Sequence, residues 1–327
     1  MAKHLAATGD APVLCTPEVS GQLADCLGDR ILCPEVEDGR LVLRNVEDCV
    51  NSERTKRNLI FEYSGDRDGR IIFSSELKGF GPYFDSELGP QLEKLDSKMD
   101  RFLLSGFHDA EGNVDAKLEK ARRQLREIDT PVHHEYVHRP GKAETIVEKI
   151  LWEVESVGLD SRELRKLSDM LGIKTDVPDD PSLGESFAAA RKLVEHLELD
   201  RIHIHTMTHH AVVASESYPV SKEEMRKGLL YGVASGAEMC QQGSYPSESE
   251  IEDFSMDGRE LHGVQELRDF GEFFNLRSFT ETGTAKIEGL KVAAVPSLIV
   301  EEPEKLVGLG DVISCGSFVG ETKKSVS

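Results

Sequence analysis

From Asp85 onward the chain alternates between two periodicities. Apolar residues three and four apart predict helices over 86–98, 113–129, 143–155, 161–171, 183–196 and 221–240. Between and after them stand short β-rich runs: RFLLSG (101–106), PVHHEYV (131–137), SVGL (156–159), RIHIHT (201–206), HAVVAS (210–215) and KVAAVP (291–296). Strand–helix units of this length imply an α/β protein whose parallel sheet is covered by helices. Residues 30–75 follow another pattern, with ILCPEV, LVLRNV, NLIFEYS and RIIFSS in close succession. Asp38-Gly39 lies between the first two and is a hairpin signal. The expected organisation is a start of the core over 1–29, a small β-rich lid over 30–84, and the main α/β core over 85–327. Within the first part, a helix is expected around Met1 to Thr8, a strand at Ala11–Thr16 and a helix at Glu18–Leu27. Gln242 to Ser255 is polar and reads as a surface loop.

Charge narrows the function. The 327 residues include 60 acidic and 39 basic side chains, a formal net charge of −21. That excludes a general nucleic-acid binder, which needs a basic surface to meet phosphates. It leaves open a local basic site for a small phosphorylated ligand. No apolar run approaches the ~20 residues of a membrane helix, so no membrane partner is expected. MAKHLAATGDAPVLC has no sustained apolar stretch and does not read as a secretory signal. The 6 cysteines form no CxxC pair and are expected to be reduced thiols in a cytoplasmic protein.

Candidate chemistry concentrates in Val307-Gly308-Leu309-Gly310-Asp311. Two glycines let backbone N–H groups approach a ligand, and a helix is expected to begin near Asp311. Helix starts stabilise anions through unpaired N–H groups and the helix dipole. An aspartate there can accept a proton from an attacking hydroxyl while the N–H groups hold phosphoryl charge. A plain glycine turn with Asp311 as N-cap fits the same residues. His203, His205, His209 and His210 cluster, as do His133, His134 and His138. On a strand His203 and His205 share a face, yet no cysteine lies close by and HExxH is absent, which speaks against a zinc site.

The segment PSLIVEEPEKLVGLGDVISCGSFVG resembles the C-terminal signature of the archaeal ADP-dependent glucokinase and phosphofructokinase family, part of the ribokinase-like superfamily. His133-His134-Glu135 resembles the family's His-x-Glu element. The run Ser156-Val157-Gly158-Leu159-Asp160-Ser161-Arg162-Glu163 resembles its Asn-x-x-Glu element, with Asp160 in place of Asn. His205-Thr206, Ser105-Gly106-Phe107 and the β-rich segment 31–75 also match in order. The resemblance implies a ribokinase-like α/β fold and phosphoryl transfer from ADP to glucose or fructose 6-phosphate, giving AMP. It implies that Asp311 is the base, with Gly308, Leu309 and Gly310 cradling the transferred group. It places Mg²⁺ on Glu135 and Glu163, with Asp311 as a further ligand, in keeping with the ion's preference for carboxylates together with phosphates and waters. His205 and Thr206 would contact the nucleotide, and His133 would approach substrate or phosphate.

Three departures bear on substrate. Leu306 stands where many members carry threonine before the anion loop, and Glu76 stands where phosphofructokinase-type members carry arginine. A carboxylate there would repel a sugar 6-phosphate, although Arg40, Arg44 and Arg70 supply positive charge nearby. About a hundred family residues that precede a Gly-Gly motif have no counterpart before Met1. The expectation that follows is a chain that binds ADP or AMP and phosphorylates sugars slowly, or a homologue that binds nucleotide or a partner protein without catalysis.

Overall fold

A computed structural model describes residues 1–54, 58–63, 69–74, 80–175, 177–255 and 261–323. The chain opens with α1 (Ala2–Ala7) and α2 (Gly21–Leu27), the latter capped by Ser20. Between these helices the expected strand at 11–16 is a single parallel bridge, Val13 to Leu32. Two hairpins follow, β1 (Leu32–Glu37) with β2 (Arg40–Asn45), and β3 (Asn58–Tyr63) with β4 (Gly69–Ser74). The first turns at Asp38-Gly39, both at positive φ, as that dipeptide predicts. Leu41 and Leu43 of β2 pack against the main core. Cys33 and Cys49 are buried beneath the hairpin with their thiols in contact, and Cys15 lies nearby. Glu76 falls outside the described residues.

The core then runs α3 (Leu92–Asp96), β5 (Phe102–Leu104), α4 (Val114–Leu125), β6 (Val132–Glu135), α5 (Ala143–Lys149), β7 (Ser156–Asp160) and α6 (Ser161–Met170). It continues with α7 (Leu183–Leu197), β8 (Arg201–His205), β9 (His209–Ala214) and α8 (Lys222–Gln242). Next come α9 (Glu248–Glu252), β10 (Leu261–His262), α10 (Val264–Phe273) and α11 (Phe279–Thr282). The last elements are β11 (Thr284–Ile287), β12 (Leu290–Leu298) and α12 (Leu309–Gly320). The helices expected at 86–98 and 143–155 are shorter than their periodicity suggests, each adjoined by a 3₁₀ turn. The stretch 242–255 is not all loop: Ser247 and Glu250 form a reciprocal capping box that starts α9.

The sheet has the order β10-β12-β9-β8-β7-β6-β5, with β11 on the other side of β12 at its far end. β5 through β8 pair in parallel, as the alternation with helices predicts. Beyond β8 the pairing turns antiparallel, so the sheet is mixed rather than mostly parallel. The reason is connection length. Only residues 206–208 join β8 to β9, enough for a hairpin and too short for the crossover a parallel pair needs.

Each central strand alternates in character, and the alternation assigns its two faces. Val157, Leu159, Ile202, Ile204, Ala211 and Val213 point to one side and join the large core with α4 to α7 and α10. On the opposite face Val212 and Ala214 pack under α8. That face is polar over β6 to β8, and α12 covers it. α12 in turn packs on α8 through glycines. A Cβ on Gly232 would lie 2.4 Å from the Ile313 carbonyl oxygen, and one on Gly316 would lie 3.0 Å from the Gly232 Cα. The two helices therefore touch backbone to backbone, which fixes where the N-terminus of α12 meets the sheet.

Candidate active site

Strand register arranges the polar face in rows. His133, Ser156 and Arg201 are partners across β6, β7 and β8. One pleat further, Glu135, Gly158 and His203 form a second row, and beyond it Asp160 pairs with His205. α12 runs over these rows with Glu321 just past its end, then Ser317, Ser314 and Asp311 on the way back to its start. The third row and the start of α12 thus meet at the C-terminal edge of the parallel strands, where open α/β sheets place their ligands.

The first row is sealed. Arg201 is fully buried; its Nε donates to Glu321 Oε1 at 2.7 Å, Nη1 to Ser156 Oγ at 3.1 Å and Nη2 to Ser317 Oγ at 3.0 Å. Tyr218 OH donates to Glu321 Oε2 at 2.6 Å. His133 sits in this layer at 1% exposure, stacked on Phe318, with Nδ1 2.8 Å from Ser156 Oγ and Nε2 2.9 Å from Ser314 Oγ. Both ring nitrogens are engaged inside the protein, so His133 supports the site and does not present itself to a substrate. This corrects the expectation of a substrate contact.

The second row carries the carboxylate. Glu135 Oε1 accepts from His205 Nε2 at 2.9 Å, whereas Oε2 is buried without a hydrogen-bond partner. Burial alone would raise this carboxyl, but the nearby His133 ring and the hydrogen bond and charge of His205 outweigh it and hold Glu135 well below the usual carboxylate range. Burial lowers His205, and the Glu135 hydrogen bond and charge more than reverse that, so the imidazole is raised above its ordinary value. His205 therefore orients Glu135, a role the sequence did not disclose. Thr206 serves the β8–β9 hairpin: its hydroxyl accepts the His209 and Thr208 N–H groups and donates to the His209 carbonyl. That hydroxyl is committed to the turn, a second departure from the expected nucleotide contact.

Glu163 opens α6. Its Oε2 accepts the Asp160 N–H at 3.0 Å, and Asp160 Oδ1 accepts the Glu163 N–H at 2.8 Å. Burial, reinforced by the Asp160 charge and by Glu135, pushes the Glu163 carboxyl up to about 7. Asp311 lies in the first turn of α12, where burial and then Glu135 raise its carboxyl. Gly308 is the N-cap at φ 83° and no side chain caps the helix. Of the three cradle residues expected, Leu309 spends its N–H on the Leu306 carbonyl at 3.2 Å. The first-turn N–H groups of Gly310 and Asp311 have no intrahelical acceptor by helix geometry.

The site thus brings together Glu135, Glu163, Asp311, His205 and the start of α12, four of them coupled through charge. Among the described residues no three His, Cys, Asp or Glu side chains converge as metal ligands. Two histidines outside the site have other partners: His134 Nδ1 faces the Leu104 carbonyl at 3.2 Å and His209 Nε2 faces Ser186 Oγ at 3.1 Å. The residues present suit Mg²⁺. Glu135 offers a buried oxygen with no hydrogen-bond partner, Glu163 stands one strand away, and an ion of this kind takes its remaining ligands from phosphates and water. The sequence missed Ser156, Arg201, Ser314, Ser317 and Glu321. The signal was there in the alternation Arg201-Ile202-His203-Ile204-His205 and in serines three apart on an otherwise apolar helix.

An α/β sheet whose strand ends carry paired carboxylates opposite an uncapped glycine-led helix start defines a phosphoryl-transfer fold. The description "ADP-specific Phosphofructokinase/Glucokinase conserved region" matches residues 1–320, and the chain belongs to that family of ADP-dependent kinases. The ADP-specific phosphofructokinase of Pyrococcus abyssi is 27% identical, covering 98% of this chain and 76% of that protein. The ADP-dependent glucose/glucosamine kinase of Pyrococcus furiosus is 25% identical, covering 98% of this chain and 73% of that protein. A solved ADP-dependent kinase in complex with fructose 6-phosphate and ADPβS superposes with a TM-score of 0.86 at 26% identity, over 98% of this chain and 78% of that one. The last common ancestor of ADP-dependent phosphofructokinases from Methanosarcinales gives a TM-score of 0.84 at 25% identity, over 99% and 76%.

Proposed function

We propose that the chain transfers the β-phosphoryl group of ADP to a hydroxyl of a hexose or hexose 6-phosphate, releasing AMP, in the cytoplasm. The observation that carries this reading is the placement of Asp311 at the start of α12 beside Glu135, the carboxylate that also acts on Glu163. Asp311 takes the proton of the acceptor hydroxyl as its oxygen forms a bond to the β-phosphorus. The bond from that phosphorus to the AMP oxygen breaks, and the pair of electrons leaves with AMP. Burial and the Glu135 charge raise the Asp311 carboxyl, which makes its carboxylate a stronger base toward the acceptor proton than a free aspartate. The N–H groups of Gly310 and Asp311 and the α12 dipole face the charge that develops on the phosphoryl oxygens. Glu135 and Glu163 would hold Mg²⁺, which neutralises the diphosphate when bound. Glu135, paired with His205, is the stronger holder of charge, and Glu163, raised to about 7, would hold the ion in its ionised form.

Fructose 6-phosphate is the first acceptor to test, with glucose beside it, because relatives with either activity align over nearly the whole chain. In coupled assays for AMP, Asp311→Asn should cut turnover by ~10²-fold or more while calorimetry shows unchanged ADP affinity. Turnover near that of the parent protein would refute the assignment. Glu135→Gln and Glu163→Gln should each weaken Mg²⁺-dependent ADP binding, and the double variant should lose less than the sum, since both act through one ion. Additive losses would mean separate sites.

A further inference from the structure

Resting on the proposed role of Glu135 toward a divalent cation, we infer that Ser314 is a positioning residue that keeps Glu135 Oε2 free by holding the His133 N–H away from it. The buried hydrogen bonds have a direction. The Arg201 guanidinium can only donate, and it donates to Ser156 Oγ at 3.1 Å. With Ser156 Oγ accepting from Arg201, its own hydrogen is free to turn to His133 Nδ1 at 2.8 Å. With Nδ1 accepting from Ser156, the ring proton of His133 sits on Nε2. Two acceptors face this N–H: Ser314 Oγ at 2.9 Å and Glu135 Oε2 at 3.6 Å. Only the first is within hydrogen-bond reach. Ser314 passes its own hydrogen on to His203 Nδ1 at 3.3 Å.

The arrangement leaves one buried carboxylate oxygen unpaired, a costly state unless a ligand completes it. The oxygen is lodged where Gly158 has no side chain, between that strand and Ser314. With the Ser314 hydroxyl removed, the nearest acceptor left to the His133 N–H is Glu135 Oε2. The imidazole would then occupy the oxygen meant for the cation. Groups that orient a metal-holding side chain in this way commonly change metal affinity by ~10–100-fold when altered.

The test is ADP binding by calorimetry with and without Mg²⁺, on the full chain and on Ser314→Ala, Ser314→Cys and Ser317→Ala. Ser317 lies one turn along the same helix face and bonds Arg201 instead. Ser314→Ala should lose ~10-fold or more of the affinity that Mg²⁺ confers, with affinity in its absence unchanged. Ser317→Ala should lower the melting temperature and leave the Mg²⁺ effect intact. Ser314→Cys, a smaller perturbation with a weak acceptor, should fall between Ser314→Ala and the parent, and it carries the comparison if Ser314→Ala does not fold. Histidine ¹H–¹⁵N spectra of the ligand-free protein should show His133 protonated on Nε2; protonation on Nδ1 would overturn the inference without reference to any ligand. A parent protein whose ADP binding ignores Mg²⁺ would overturn the proposed role of Glu135 and this inference with it. Mg²⁺ dependence that survives in Ser314→Ala, or is lost equally in Ser317→Ala, would overturn the positioning role alone.

Discussion

Gly158 and Glu135 are register partners on adjacent parallel strands, and the first makes room for the second: a Cβ on Gly158 would fall 2.0 Å from Glu135 Oε2. Gly158→Ala should therefore displace the carboxylate, because His205 restrains its other oxygen and Ser314 closes the far side. Overpacking of this kind costs ~1–3 kcal/mol. Urea titration should show that loss, and calorimetry should show weaker Mg²⁺-dependent binding of ADP. An alanine variant that binds as the parent does would mean that Glu135 has a second productive rotamer.

The contact between α8 and α12 can be tested through Gly232. In an exposed helix, glycine to alanine is stabilising by ~1 kcal/mol, because it removes backbone freedom from the unfolded chain. At Gly232 the new methyl would meet the Ile313 carbonyl at 2.4 Å and the Ser317 N–H at 2.9 Å, both backbone and unable to step aside. Gly232→Ala should thus destabilise, by ~1–3 kcal/mol, and push the Asp311 end of α12 away from the strand ends. Turnover should fall more than ADP affinity. A stabilised variant would show that the helices have slack at this crossing.

How much of this was legible beforehand follows from what local sequence encodes. The two periodicities gave the α/β class, and capping residues such as Ser221 and Asp160 start their helices where the pattern says. Asp311 and Glu163 could be singled out because a motif keeps its members close in sequence. Parallel pairing beyond β8 was not excluded by local pattern; the short Thr206–Thr208 connection decides it. The polar layer was the larger omission. Arg201 and Glu321 are 120 positions apart, and nothing near either one signals the other. Ligand contacts of His133 and Thr206 rest on the family resemblance alone, and tertiary packing engages their polar atoms inside the protein.

Arg201 and Glu321 form a fully buried ion pair, with Ser156, Ser317 and Tyr218 completing its hydrogen bonds. Removing one partner strands the other charge, at ~3–5 kcal/mol, whereas removing both leaves only the weaker loss at Arg101, whose Nη1 lies 3.6 Å from Glu321 Oε2. Arg201→Met and Glu321→Leu should each be severely destabilising in urea titrations. The double variant should be less so than the sum of the two, with a coupling of several kcal/mol. Additivity within ~0.5 kcal/mol would show that the pair is not a unit.

Buried neutral histidines set the response to acid. Burial lowers His134 and His209 to about 4; burial, then the charges of His205 and His209, lower His210 to about 3. Below the unfolded value of 6.5 the denatured chain takes up these protons and the folded chain does not. Stability must therefore fall as pH drops from 6.5 toward 4, by ~1.4 kcal/mol per pH unit for each such group. Glu163 acts in the opposite sense, since its folded value of about 7 lies above the unfolded 4.5. Its contribution is present below 4.5 and is lost as pH rises to 7, which offsets one histidine and not three. The net expectation is a protein that loses cooperative stability steeply between pH 6 and 4.5. Melting and urea midpoints across that range check the direction. His210→Gln removes one titrating ring whose Nδ1 has no partner, and it should flatten the slope by roughly one histidine's share. An unchanged slope would mean that His210 is protonated in the folded protein after all.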